Sequence, residues 1–357
     1  MIKDYKNKTT GSIKGTFVIN KIDYKAFSNK PGAFLSCEFT DLSGSMKAVM
    51  WDGFVAYKAW LKNKTVVEVF GELNTYKETT QIQIKNMNPV QIYNTTLLVP
   101  SLTSEKMKEV KTGLESFKET IKNEVCKIIW DEILSDELGS LKGPYLHCPG
   151  GIGDVHHAYC GGLAEHSFSM MRVGELVALY QNLDRDIILT GCLLHDIGKI
   201  KCYNWELCLE MTDIGRLLHH TSIGYGMLLK IAEKNKISID DPTFLKLAHI
   251  IIAHHEDEGI RKTMFAEANA VAQIDAMDAL VTHAVAFSTL PENKNEETNW
   301  TKYCSLTQKQ YYIPAKQSNP VQTDQPMVEK NKPGKPFETK TELPSFDIDD
   351  LFGDNNK

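Results

Sequence analysis

The sequence predicts a multidomain α+β protein: a small five-stranded β-barrel, a helical connector, an all-α domain and a disordered C-terminal tail. Three observations carry this. Apolar residues alternate with period two through residues 12–95. From Ser101 the apolar spacing changes to three and four. Beyond about Leu290 the composition shifts to Asn, Lys, Glu, Gln, Thr and Pro with little periodicity. A chain of 357 residues is long enough for more than one core, since single cores seldom grow past roughly 250–300 residues. The predicted divisions are 1–96 for the barrel, 97–140 for the connector, 141–290 for the helical domain and 291–357 for the acidic-ended tail, disordered from roughly residue 305.

The five predicted strands are Gly15–Asn20, Ala33–Thr40, Ser45–Trp51, Thr65–Gly71 and Gln81–Lys85, rich in β-branched and aromatic residues. Asn29-Lys-Pro-Gly32 and Asp41-Leu-Ser-Gly44 supply turns between them. Five strands in this length suit a small closed barrel. Leu102, Met107, Val110, Leu114, Phe117, Ile121, Val125 and Ile128-Ile129 then form the apolar stripe of an amphipathic connector over 101–134. No strand pattern appears between 160 and 290, so that region is expected to be entirely helical.

Charge is distributed unevenly. The net charge is -6, yet residues 1–95 hold thirteen Lys, no Arg and eight Asp plus Glu. The barrel is therefore the part suited to a polyanion. No stretch suggests a membrane span or a secretion signal. Eight cysteines without a CxxC pair favour reduced thiols and a cytoplasmic location over a disulfide framework.

Histidine carries the chemistry. The histidines concentrate between His147 and His283, with doublets at His156-His157, His219-His220 and His254-His255. Around Leu193-Leu-His195-Asp196-Ile-Gly198-Lys199, an adjacent His-Asp pair closes an apolar run. Neighbouring helical residues point about 100° apart, so such a pair converges on one centre only beside a cavity. An isolated His-Asp dipeptide is common by chance; the surrounding set decides. His166, His195, Asp196, His220, His254, His255 and Asp275 all sit at helix ends or along helix faces, more ligands than one ion takes. They suit a pair of divalent ions that clamps a phosphoester. His219 competes with His220, and the H-T-S-I-G context favours His220. Asp278, one helical turn from Asp275, is placed to orient a ligand. Lys199 either faces phosphate oxygens or satisfies a helix C-terminus. Glu165 and Glu256 are either further ligands or bases, or solvated. His156 and His157 either contact substrate or cap the cavity.

Two resemblances extend this reading. The run PGAFLSCEFTDLSGSMKAVMWD followed by VVEVFGELNTYKETTQIQI resembles the OB-fold of the tRNA-anticodon-binding type, which holds single strands in a basic groove with aromatic platforms. Phe34, Phe39, Trp51 and Tyr76, with Tyr24 and Phe27 on the loop side, are the platform candidates, or else barrel core; Lys47 and His157 are further candidate nucleic-acid contacts. The order H, HD, H, HH, D resembles the HD-domain metal-dependent phosphohydrolases. That resemblance makes His166 the first ligand and His195-Asp196 the defining pair, with Asp196 able to bridge two ions. His220, His254, His255 and Asp275 complete the shell.

The combination of an OB-fold, a helical connector, HHAYCGGLAEHS, LLHDIGKI and IDAMDA resembles the YhaM-type 3′-5′ exoribonucleases over residues 12–290. The chain lacks the Gly-Tyr-Pro of the cyclic-dinucleotide branch, reading Asp-Glu-Gly-Ile-Arg261 after Glu256. The resemblance implies a metal-dependent 3′-5′ exonuclease that hydrolyses single-stranded RNA, or single-stranded DNA, to nucleoside monophosphates. Asp196, His195 and Lys199 are then the catalytic group, and manganese the favoured metal over Fe, Mg, Zn or Co. The competing readings are an HD phosphohydrolase of nucleotides or cyclic dinucleotides and a non-catalytic single-strand-binding adaptor. The tail segment Leu343-Pro-Ser-Phe-Asp-Ile-Asp-Asp-Leu-Phe-Gly-Asp resembles the acidic tails of single-strand-binding proteins, which implies a protein partner, or is simply solubilising. A homo-oligomer is allowed, and no membrane is expected.

Overall fold

In the computed structural model the described residues are 1–6, 8–76, 79–91, 98–135, 141–153, 155–255, 262–295 and 297–313. A short helix α1 (Lys3–Lys6) precedes five strands: β1 (Gly11–Ala26), β2 (Ala33–Asp41), β3 (Gly44–Met50), β4 (Thr65–Tyr76) and β5 (Thr79–Pro89). They close a barrel in the order β1-β2-β3-β5-β4. Every neighbouring pair is antiparallel except β3 with β5.

Alternation decides what fills it: Leu35, Cys37 and Phe39 of β2 point inward, with Phe17, Val67, Val69 and Ile82 from the other strands. The β2–β3 turn is fixed by Asp41, which accepts the backbone N–H of Ile2 on one oxygen and of Ser43 on the other, both at 2.8 Å. The strands lie where the alternation placed them, and β1, β4 and β5 run longer than predicted.

The helical part comprises α2 (Ser104–Thr120), α3 (Glu124–Leu134), α4 (Lys142–His147), α5 (Gly162–Gln181), α6 (Arg185–Leu194), α7 (Lys199–Cys202), α8 (Asp213–Asn235), α9 (Pro242–Ala253) and α10 (Ala266–Thr289). The connector is helical as expected and consists of two helices, α2 and α3. The backbone N–H groups of Lys122 and Asn123 both donate to Asp186 at 2.7 Å, and Asn123 then caps α3. Val110 and Leu114 of α2 and Ile129 and Trp130 of α3 belong to the same apolar core as α5, α6, α9 and α10. The connector is thus part of the helical domain rather than a separate link.

The region is not purely helical either. β6 (Tyr203–Asn204) pairs with β7 (Glu210–Met211), two residues each and too short to leave a period-two pattern. This hairpin faces the barrel: Leu207 and Leu209 pack with Val18, Val66, Leu98 and Val99, and Lys64 of the barrel pairs with Glu210.

Two further expectations need correction. α10 is long and apolar enough by composition to cross a membrane; it nevertheless buries Asp275 and Asp278 and packs on α5, α6 and α9. Residues 291–295 and 297–313, placed in the tail, form a short 3-10 turn and isolated bridges, with Thr301 and Cys304 buried. Tyr311 and Cys304 anchor this segment on α10: the rings of Tyr311 and Phe287 lie 6.0 Å apart, and Cys304 Sγ is 3.2 Å from His283 Nε2. The acidic segment at Leu343 lies outside the described residues, as do Glu256 and the Asp257–Arg261 run.

Candidate metal centre and nucleic-acid surface

Five helices converge on one point. α5 brings His166 in its first turns, α6 ends at His195 and Asp196, α8 carries His220, α9 ends at His254 and His255, and α10 contributes Asp275. The backbone of α8 reaches the His-Asp loop because Gly198 has no side chain. A Cβ there would lie 1.9 Å from the carbonyl oxygen of His220 and 2.7 Å from the nitrogen of Gly224. The Gly of LLHDIGKI and the Gly four residues after His220 therefore serve one close approach.

All seven predicted ligands come together, in two adjoining groups. Asp196, His220, His254 and His255 offer donor atoms within 4.8 Å of one another, and so do His166, His195 and Asp275. His166 Nε2 lies 3.2 Å from His195 Nε2 and 3.1 Å from Asp275 Oδ1. His195 Nε2 is 3.3 Å from Asp196 Oδ2, and this contact joins the groups. Asp196 Oδ1 faces His220 Nε2 at 3.2 Å and His254 Nε2 at 3.8 Å. His219 stays outside these groups, although its ring lies 4.2 Å from that of His220; its backbone has a positive φ of 63° at a kink in α8.

The donor set fits a divalent metal. Asp196 Oδ1 is a buried carboxylate oxygen with no hydrogen-bond partner among the described residues, an expensive arrangement unless a cation satisfies it. His195 Nδ1 is 3.0 Å from the Cys192 carbonyl, and His254 Nδ1 is 3.0 Å from that of Ile251. Each ring must donate there, which leaves its Nε2 lone pair aimed at the cluster. Imidazole and carboxylate donors together suit Mn, Fe, Zn or Mg.

The electrostatics agree. Burial alone would push the Asp196 carboxyl up, but Lys199 and His195 hold it well below the usual carboxylate range. Burial opposes charge on His166 as well, yet its hydrogen bonds to Asp275 and Asp278 raise it from 6.5 to about 9. Burial lowers His220 to about 2 and His156 to about 4, so both rings are neutral.

Lys199 does not satisfy a helix C-terminus. It opens α7 rather than closing a helix, and its ammonium donates to Asp196 Oδ2 and to the Gly150 carbonyl, each at 2.6 Å. Asp196 outweighs burial and keeps it protonated. It is thus the counter-ion of Asp196, although it also borders a cavity of about 400 Å³ above the cluster, with His156, His255, Gln273 and Leu280.

His157 needs correction as a nucleic-acid contact. It is buried, with Nε2 3.0 Å from Asp278 Oδ2; its neighbour His156 is the one that borders the cavity. Asp278 touches His166 Nδ1 at 2.7 Å, the orienting position expected of it. Glu165 accepts from the Tyr159 hydroxyl at 2.5 Å rather than lying free in solvent. Tyr159 and Ser169 were missed. Tyr159 stood within the HHAY block, whereas a serine at Ser169 carries no signal of its own.

On the barrel, Phe39 is fully buried and stacks on Phe17 at 5.6 Å, so it is core and not a platform. Phe34 and Trp51 are half-buried with ring centroids 4.7 Å apart, and Phe27 joins them at 5.3 Å and 6.1 Å. Lys30 lies over Phe27 at 4.1 Å and Lys58 over Tyr24 at 4.5 Å. Tyr76 and Lys47 are exposed. The barrel thus presents aromatic faces together with ammonium groups.

Comparison with known proteins agrees with this architecture. Residues 163–280 match the HD domain, and residues 18–90 match an OB-fold nucleic acid binding domain. The chain is 28% identical over 281 residues to the 3′-5′ exoribonuclease YhaM of Bacillus subtilis, covering 74% of this chain and 83% of that one. The namesake from Listeria monocytogenes is 28% identical over 280 residues, covering 75% and 86%. Among solved structures, the second OB-fold domain of replication protein A from Methanococcus maripaludis aligns at 20% identity and a TM-score of 0.20, over 24% of this chain and 87% of that one.

Proposed function

We propose that this HD-domain protein, a homologue of the YhaM exoribonucleases, is a metal-dependent 3′-5′ exonuclease that hydrolyses single-stranded RNA to nucleoside monophosphates. The observation that carries the reading is the buried Asp196 Oδ1, left without a hydrogen bond between two imidazoles in the HD cluster. His166, His195 and Asp275 would hold one divalent ion and His220, His254 and His255 another, with Asp196 between them; manganese is the metal favoured. Such ions supply, when bound, Lewis-acid activation of water and neutralisation of phosphoester charge.

The chain's own residues do the rest. Lys199 keeps Asp196 ionised and fixes its Oδ2, which leaves the other oxygen facing the His220 and His254 imidazoles, where an ion would be held. The neutral His156 and the Gln273 amide border the space that the terminal nucleotide would fill, and burial around the cluster excludes bulk water. The half-buried Phe27, Phe34 and Trp51, with nearby lysines, give bases and phosphates of a single strand something to stack on and pair with. The similarity to the 3′-5′ exoribonuclease YhaM supplies the polarity and the preference for RNA.

The test compares a single-stranded RNA with a free 3′-hydroxyl against the same strand bearing a 3′-blocking group, each with Mn²⁺. Stepwise shortening of the free strand alone is expected. Equal inertness toward both refutes the exonuclease reading, and hydrolysis of mononucleotides or cyclic dinucleotides instead would establish the competing phosphohydrolase.

A further inference from the structure

Behind His166 lies a second, hydrogen-bonded row of side chains that the metal cluster does not use. Asp278 Oδ2 is 2.7 Å from His166 Nδ1 and 3.0 Å from His157 Nε2, while Asp278 Oδ1 accepts from Ser169 Oγ at 2.5 Å. His157 Nδ1 lies 3.0 Å from the Tyr159 hydroxyl, which donates to Glu165 at 2.5 Å. Every member is buried or half-buried. His157 is pinned there by its backbone. It adopts a left-handed φ of 53°, and its carbonyl accepts from Gly150 N at 2.9 Å and Tyr159 N at 2.8 Å. Its turn is pressed against Gly162, where a Cβ would come 2.0 Å from that carbonyl oxygen.

We infer that Glu165, Tyr159 and His157 are positioning residues that act through Asp278 to set the ring orientation and tautomer of the metal ligand His166. A carboxylate that accepts from two imidazole N–H groups and a hydroxyl has its direction fixed. Its demand on His166 Nδ1 holds the proton on that nitrogen and leaves Nε2 for the metal. The HHAY and GLAEH segments are then one device: the first supplies the clamp and the second the ligand. The inference rests on the metal reading of the HD cluster but not on the substrate, and it is tested without RNA.

Mn²⁺ affinity is measured for the full-length wild type, Asp278→Asn, His157→Gln and Tyr159→Phe, alongside the melting temperature of each metal-free protein. Loss of an outer partner of a metal ligand costs about 10–100-fold in affinity. Asp278→Asn is expected to weaken Mn²⁺ binding by about that much, with metal-free melting lowered only by the loss of its pairing with the charged His166, and Tyr159→Phe by about threefold with metal-free melting little changed. His157→Gln, which keeps a donor toward Asp278, is expected to fall between them. In the Zn²⁺-loaded wild type, ¹⁵N resonances should place the His166 proton on Nδ1. Unaltered Mn²⁺ affinity in both Asp278→Asn and Tyr159→Phe overturns the proposal. So does an affinity loss matched by a collapse of metal-free melting, which marks a merely structural role. Should Asp278→Asn fail to fold, Tyr159→Phe and the wild-type spectrum decide.

Discussion

Replacing Gly198 by Ala isolates the helix approach that assembles the metal cluster, because it changes neither a ligand nor a charge. The added Cβ would sit 1.9 Å from the His220 carbonyl oxygen, about 1.5 Å short of the 3.4 Å at which such contacts become ordinary. The obstacle is backbone on both sides, His220 and Gly224, so no side chain can swing away and α8 must shift. Overpacking of this kind costs about 1–3 kcal/mol. At roughly 2–4 °C per kcal/mol for a domain of 150–250 residues, melting should fall by about 2–12 °C. Metal–ligand distances tolerate only about 0.2 Å, so the displaced His220 should weaken the ion held with His254 and His255 more than the one held with His166. Calorimetric titration with Mn²⁺ should show two sites in the wild type and one weakened or lost site in Gly198→Ala. A variant with wild-type melting and two unaltered sites would refute the argument that this glycine sets the helix approach.

Three other outcomes follow from the same geometry. In the metal-free protein His166 is raised from 6.5 to about 9, so its charged pairing with Asp275 and Asp278 stabilises the fold fully below about pH 6.5 and is lost as pH rises through 9. A metal must displace that proton, so apparent Mn²⁺ affinity should climb by up to tenfold per unit from pH 7 to 9 and then level off; a flat profile from parallel titrations would contradict this. Lys199→Met leaves Asp196 buried without its ammonium, and breaking such a pair costs about 3–5 kcal/mol. Metal-free melting should therefore drop, with the gap to wild type narrowing in Mn²⁺, whereas an equal gap in both conditions would deny that Lys199 is the counter-ion. Trp51→Ala should weaken single-strand RNA binding by about 1–3 kcal/mol per lost base stack, as read by fluorescence anisotropy, with Mn²⁺ affinity untouched; Phe39→Ala should lower melting instead.

The sequence made some features legible and hid others for definite reasons. Period-two alternation located the barrel because Leu35, Cys37 and Phe39 all point to one side. It could not separate core from platform, since Phe34 and Phe39 carry the same side chain and differ only in strand parity and in what covers them. The seven ligand candidates were visible because His and Asp are scarce on otherwise apolar helix ends, and pairs such as His195-Asp196 mark those ends. What escaped depends on pairing across the fold. The break between α2 and α3 is made by Asp186, more than sixty residues away. The partnership of His157 with Asp278 spans 121 positions. Asp196, the counter-ion of Lys199, stands only three residues away, but its second acceptor, the Gly150 carbonyl, lies on another loop. Residues 297–313 were assigned to the tail by composition, which is blind to a few anchors such as Tyr311 on Phe287.

The central claim is that the HD cluster, with its ions, removes nucleotides from the 3′ end of single-stranded RNA. Its most direct test follows a 5′-labelled single strand in Mn²⁺ with the wild type and with His195→Ala plus Asp196→Ala, both checked for intact melting. The wild type should produce a ladder shortening one nucleotide at a time, with nucleoside monophosphates released and activity abolished by chelation, and the double variant should leave the strand whole. A ladder of equal rate from the double variant would contradict the account.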